Sequence, residues 1–178
     1  TSGENINLAW HPDGVNIAIG DREDLVSFVD TRKLRVVSVR KFPFEVNEMR
    51  WSPDGDILWV TTGTGTVEVH AWPSSRKMLS MKVHTAGCYA IDVDPLGRKL
   101  AVGGADTLVS MWDTEEYTCL YTVARSGKPV RVVRFSKGGD FIATGSEEHF
   151  IDIADSQTGA CAAKLSTGAA TNSLAWSP

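Results

Sequence analysis

Short runs in which apolar and polar residues alternate succeed one another along the chain, each closed by a cluster drawn from Gly, Pro, Asp and Ser. Period-two alternation marks strands that bury one face, and no stretch of helical length keeps apolar residues at 3.6-residue spacing. The pattern predicts an all-β chain with almost no helix. The runs come in fours: 6–10, 15–20, 25–30 and 34–39, then 46–51, 57–62, 66–71 and 77–81. Two more sets follow at 88–93, 98–103, 108–113 and 118–123, and at 130–135, 141–145, 150–154 and 161–165.

Each set passes from its first run to its second through similar residues: Trp10-His11-Pro12-Asp13-Gly14, Trp51-Ser52-Pro53-Asp54-Gly55, Val93-Asp94-Pro95-Leu96-Gly97 and Phe135-Ser136-Lys137-Gly138-Gly139. Trp176-Ser177-Pro178 begins a fifth, and the leading residues stand 41, 42, 42 and 41 apart. Proline presets φ, aspartate bonds the local backbone and glycine takes the left-handed turn conformation, so these residues are structural. A period of about 40–45 residues made of strands and tight turns resembles the WD40 repeat, one four-stranded propeller blade per repeat. The resemblance implies a partial β-propeller with blades at 1–43, 44–84, 85–127 and 128–170. The first strand of a fifth blade is expected at 171–178, within a ring of about seven. Blades bury their faces only against neighbours, so both ends are expected to show apolar faces, and the segment alone to be poorly soluble or loosely folded.

Eighteen basic against 22 acidic residues leave a net charge of −4, and no run of Lys and Arg stands out. Stand-alone nucleic-acid readers need a basic stripe to displace counterions from phosphates, which makes this chain a poor one. No 18-residue apolar stretch or signal-peptide pattern is present, so a soluble intracellular protein with no membrane partner is expected. Cys88, Cys119 and Cys161 are too scattered for a disulfide framework or metal knuckle and read as small buried filler.

Signs of chemistry are weak. His11, His70, His84 and His149 lack metal-ligand spacing, and there is neither a Gly-x-Ser-x-Gly elbow nor a P-loop. No catalytic residue, cofactor, metal or small-molecule substrate is expected. Arg50, Asp92 and Arg134 occupy equivalent slots in three repeats, which favours packing or channel lining over an active site.

Two groups of residues carry the site reading. His84, Asp106 and Trp112, in the repeat nearest the WD40 consensus, fit the hydrogen-bonded chain that locks a blade in that family. Val102 stands where the family places Ser or Thr, so the chain is expected to be partial at most. Around one rim, the acidic turns containing Asp21, Glu23 and Asp24, and Glu147, Glu148 and His149, are either solvated loops or receivers of a basic partner segment. Phe42, Phe44 and Glu45 flank Pro43, the two aromatics being either tucked between blades or presented as binding anchors.

Particular strings resemble a narrower family. Ser2-Gly3-Glu4-Asn5-Ile6-Asn7-Leu8, Phe44-Glu45-Val46-Asn47-Glu48, Ala105-Asp106 with Trp112-Asp113, and above all His149-Phe150-Ile151-Asp152-Ile153-Ala154 are similar to the THO complex subunit 3 family of WD40 proteins. The resemblance implies a nuclear, non-catalytic docking subunit of the transcription–export (TREX) assembly, which couples mRNA synthesis and processing to export. Its partners would be other THO and TREX subunits, with RNA met indirectly. The alternatives are a WD40 adaptor of another pathway, such as a ubiquitin-ligase substrate receptor or histone-tail binder, and a propeller that binds RNA directly.

Overall fold

The computed structural model describes residues 3–177, so Ser2 of the first family string and Pro178 of the fifth turn lie outside the described residues. Sixteen strands form four antiparallel sheets. Blade 1 holds β1 (Asn5–Trp10), β2 (Asn16–Asp21), β3 (Leu25–Asp30) and β4 (Arg35–Lys41). Blade 2 holds β5 (Val46–Trp51), β6 (Ile57–Thr62), β7 (Thr66–Ala71) and β8 (Lys77–Lys82). Blade 3 holds β9 (Cys88–Val93), β10 (Lys99–Gly104), β11 (Val109–Asp113) and β12 (Cys119–Val123), and blade 4 holds β13 (Val130–Phe135), β14 (Phe141–Ser146), β15 (Phe150–Asp155) and β16 (Cys161–Ser166). There is no helix among the described residues. Strands follow chain order within each sheet, and the first strands β1, β5, β9 and β13 lie side by side across the blades, giving an arc of a β-propeller.

The turn from first to second strand works as its residues require. Asp13 Oδ1 accepts the amides of Val15 (2.7 Å) and Asn16 (2.9 Å). Gly55 has φ +86°, and a Cβ there would meet His11 of the neighbouring blade at 2.5 Å, so both conformation and contact demand glycine.

The hydrophobic core lies between blades. Ala9, Phe28 and Phe42 of blade 1 pack with Met49, Trp51 and Leu58 of blade 2. Trp59, Val69 and Met81 meet Ile91, Leu100 and Val102 at the second interface, and Met111 and Val123 meet Val133, Phe135 and Ile142 at the third. Hydrogen bonds repeat the same blade-to-blade step. Asn7 Nδ2 donates to the Asn47 carbonyl (2.9 Å), Asn47 Nδ2 to that of Cys88 (3.0 Å), and Trp51 Nε1 to that of Ala9 (3.1 Å).

One expected element differs. Residues 171–177 form no strand, because a strand needs a hydrogen-bonded neighbour and no second strand lies beside them. They still lie along blade 4, with Trp176 Nε1 donating to the Arg134 carbonyl at 3.0 Å in the manner of Trp51 on Ala9. At the other end, Ile6, Leu8 and Trp10 of β1 are each about half exposed.

Candidate functional site

Blade 3 assembles the hydrogen-bonded chain around its buried histidine. His84 Nδ1 lies 2.8 Å from Asp106 Oδ1, and Asp106 Oδ2 accepts the Thr85 amide at 3.0 Å. His84 Nε2 meets Ser110 Oγ at 2.9 Å, and Trp112 Nε1 donates to that oxygen at 2.8 Å. With His84 neutral and protonated at Nδ1, the indole N–H donates to the hydroxyl, the hydroxyl to Nε2, and Nδ1–H to the carboxylate, while Nε2 also lies 3.2 Å from the Val102 carbonyl oxygen. The expectation that Val102 leaves the series partial at most is corrected. Ser110 sits opposite Val102 in the β10–β11 ladder, so the hydroxyl arrives from the partner strand. Burial works to raise the Asp106 pKa, but the Thr85 amide and His84 outweigh it and hold the carboxyl below its usual range.

The Ser110 slot recurs as Ser27, Glu68 and Asp152, at steps of 41, 42 and 42 residues. Each of the last two finds another partner. Lys77 Nζ approaches Glu68 at 2.7 Å, and Ser80 donates to Glu68 Oε1. Arg125, from the loop before blade 4, grips Asp152 with Nε at 3.0 and 2.9 Å from the two oxygens and Nη2 at 2.6 Å, while its Nη1 donates to the Gly159 carbonyl at 2.7 Å. Side-chain hydrogen bonding and the nearby carboxylate raise the Arg125 pKa further against the opposing effect of burial. Sequence reasoning missed Ser110 and the Arg125–Asp152 pair. Ser-x-Trp at 110–112 and the repeat of a polar residue in that slot were the available signals.

The rim residues are dispersed, and several are committed internally. Phe42 is 2% exposed and packs against Phe44 and His70, with ring centroids 5.2 Å away in each case. It is core rather than a binding anchor, and half-buried Phe44 packs against the same cluster. Asp21 is likewise corrected: it is buried, and its Oδ1 accepts the amides of Glu23 (2.9 Å) and Leu25 (3.1 Å). Asp24 accepts the Val46 amide at 3.1 Å, Glu148 accepts that of Gly127 at 3.0 Å, and Glu147 pairs with Arg131. Glu23, Glu45 and His149 are exposed.

The inner strands line an open cavity of about 830 Å³. Arg50 Nε donates to Asp92 at 3.0 Å and its Nη2 lies 3.1 Å from Glu48, which also receives Arg134 Nη2 at 3.0 Å. The remaining oxygens take backbone amides, Asp92 from Phe135 (2.8 Å) and Glu48 from Ile91 (3.2 Å). Two guanidinium groups and two carboxylates therefore balance while tying blades 2, 3 and 4 together. No group of His, Cys, Asp and Glu is arranged for a metal among the described residues. Cys88 is buried, and burial pushes its thiol up to about 12. Cys119 and Cys161 instead begin outer strands and are exposed, correcting the filler reading for those two.

The family described as "WD domain, G-beta repeat" matches residues 75–113 and 117–153. Each match opens just before the outer strand of one blade and runs into the third strand of the next. THO complex subunit 3 of Arabidopsis thaliana is 47% identical over 177 residues, 99% of this chain and 56% of that protein. WD repeat-containing protein AAC3 of Dictyostelium discoideum is 34% identical over 142 residues, 76% of this chain and 30% of its own length. Eukaryotic translation initiation factor 3 subunit I of Candida albicans is 26% identical over 106 residues, 60% of this chain and 30% of that protein. The chain spans about half the length of the first relative and under a third of the other two.

Proposed function

This chain belongs to the WD40-repeat family of THO complex subunit 3, and on that premise we propose that the protein is a non-catalytic docking subunit of a nuclear THO-type complex. In that role it serves the transcription–export assembly, which joins mRNA synthesis and processing to export. The observation that carries the reading is the 47% identity along 99% of the chain, which spans all four blades. The geometry supports it. The conspicuous ionisable groups, His84–Asp106, Arg125–Asp152 and the Arg50–Glu48–Asp92–Arg134 cluster, are spent on joining strands and blades. The result is a stiff body whose outer surface meets other proteins, with RNA reached through those partners, as the net charge of −4 favours.

The test is affinity purification of the full-length protein from nuclear extract after ribonuclease treatment. Stoichiometric recovery of the large THO subunits and export adaptors is expected. Their absence, with cullin or chromatin proteins recovered instead, would contradict the reading. Strong RNA crosslinking by the purified protein alone would replace docking with direct RNA binding.

A further inference from the structure

We propose that the outer edge of blade 1, strand β4, is a strand-addition site for an extended segment of another protein in which apolar and acidic residues alternate. The inference rests on the docking role proposed above and assigns it a surface. β4 is the edge of its sheet, paired to β3 on one side only. Its apolar residues are open to solvent, with Val36, Val37 and Val39 at 43, 47 and 55% exposure and the adjoining Leu34 at 86%.

The other outer strands also expose apolar residues, at Met78, Leu79, Leu120 and Leu165, but two register slots separate this edge from them. Val39 lies opposite Ser27, just as Ser80, Thr122 and Lys164 lie opposite Glu68, Ser110 and Asp152. Those three residues are exposed although each of their blades has a preceding blade packed against it, so the slot lies beyond a neighbour's cover. Other blades fill it with polar residues, and blade 1 fills it with valine. Val36 likewise occupies the slot of Lys77, Cys119 and Cys161. Further repeats would stack on blade faces, leaving the outer edge free.

Charge selects the occupant. Residues 31–41 contain Arg32, Lys33, Arg35, Arg40 and Lys41 and no carboxylate, in a chain whose net charge is −4. Asp30 lies 4.0 Å from Arg32 and 3.7 Å from Lys33, while Arg35, Arg40 and Lys41 form no ion pair among the described residues. The sequence reading found no basic run because valines and a serine interrupt these cations. An added strand gains main-chain hydrogen bonds along the edge, side-chain contact with the valines, and attraction at both ends. A second copy of this chain would oppose like charges. Single-stranded RNA would find no aromatic ring in 31–41 on which to stack its bases.

The test places a benzophenone-bearing residue at position 37 of the full-length protein, assembles the native complex, irradiates it and identifies the crosslinked segment. The control position is 120, since Leu120 occupies the equivalent bulge slot of blade 3. The expected product is a strand-forming segment of another subunit with alternating apolar and acidic residues. Its yield should fall about tenfold with Arg35→Glu plus Lys41→Glu. A similar fall is expected with Val39→Lys, which the fold tolerates in the matching slot at Lys164, and the control position should not capture this segment. An intact complex that yields no crosslink at 37, a crosslink to RNA or to a second copy, or a yield indifferent to these changes would overturn the proposal while leaving the docking role standing. Failure of the wild-type protein to enter any complex would overturn both.

Discussion

Removing the Ser110 hydroxyl would leave the Trp112 indole N–H and His84 Nε2 without their shared partner in a nearly dry site. Ser110→Ala is therefore expected to cost about 1–3 kcal/mol, read as a lower urea midpoint of the full-length protein. Adding His84→Ala should cost less than the sum of the single changes, since both remove one network. Asp106 sets a pH dependence. Its pKa in the folded state is depressed, so its contribution is fully present above the unfolded value of about 3.9 and is lost as pH falls through the folded one. Melting temperature should drop below about pH 4, and Asp106→Asn should flatten that drop while lowering stability at neutral pH. His84, Asp106 and Trp112 were legible because they sit at fixed offsets in a repeat. Ser110 was not, because the family's hydroxyl position lies in the second strand, and only the ladder brings Val102 and Ser110 face to face.

At the scale of elements, the strands were read to within a residue or two of their ends, since period-two alternation and the turn residues are both local properties. Burial of the Phe42 loop was not legible, because whether a loop aromatic turns inward depends on the neighbouring blade's His70 and Val46. The Arg125–Asp152 pair shows the same limit, with partners 27 residues apart, one in the loop before blade 4 and one in its third strand. Asp152→Ala should cost about 3 kcal/mol by leaving a largely buried guanidinium unpaired. Joint replacement by Arg125→Met and Asp152→Leu should recover most of that loss, as measured by the same urea titration.

At the scale of the whole molecule, the repeat predicted the arc, but the division of the core into interfaces, each shared by two sheets, emerges only in the fold. A blade without its neighbour has little apolar interior of its own, and stability passes from each blade to the next. That mutual dependence is what makes the surface stiff enough to hold partners in fixed relation. Leu100→Ala probes it directly: the residue is fully buried against Trp59 and Val69 across the second interface, and truncation should cost about 2–5 kcal/mol. The decisive measurement is amide hydrogen exchange on the full-length protein carrying this change. The account predicts lost protection in blades 2 and 3 together, and loss confined to blade 3 would contradict it.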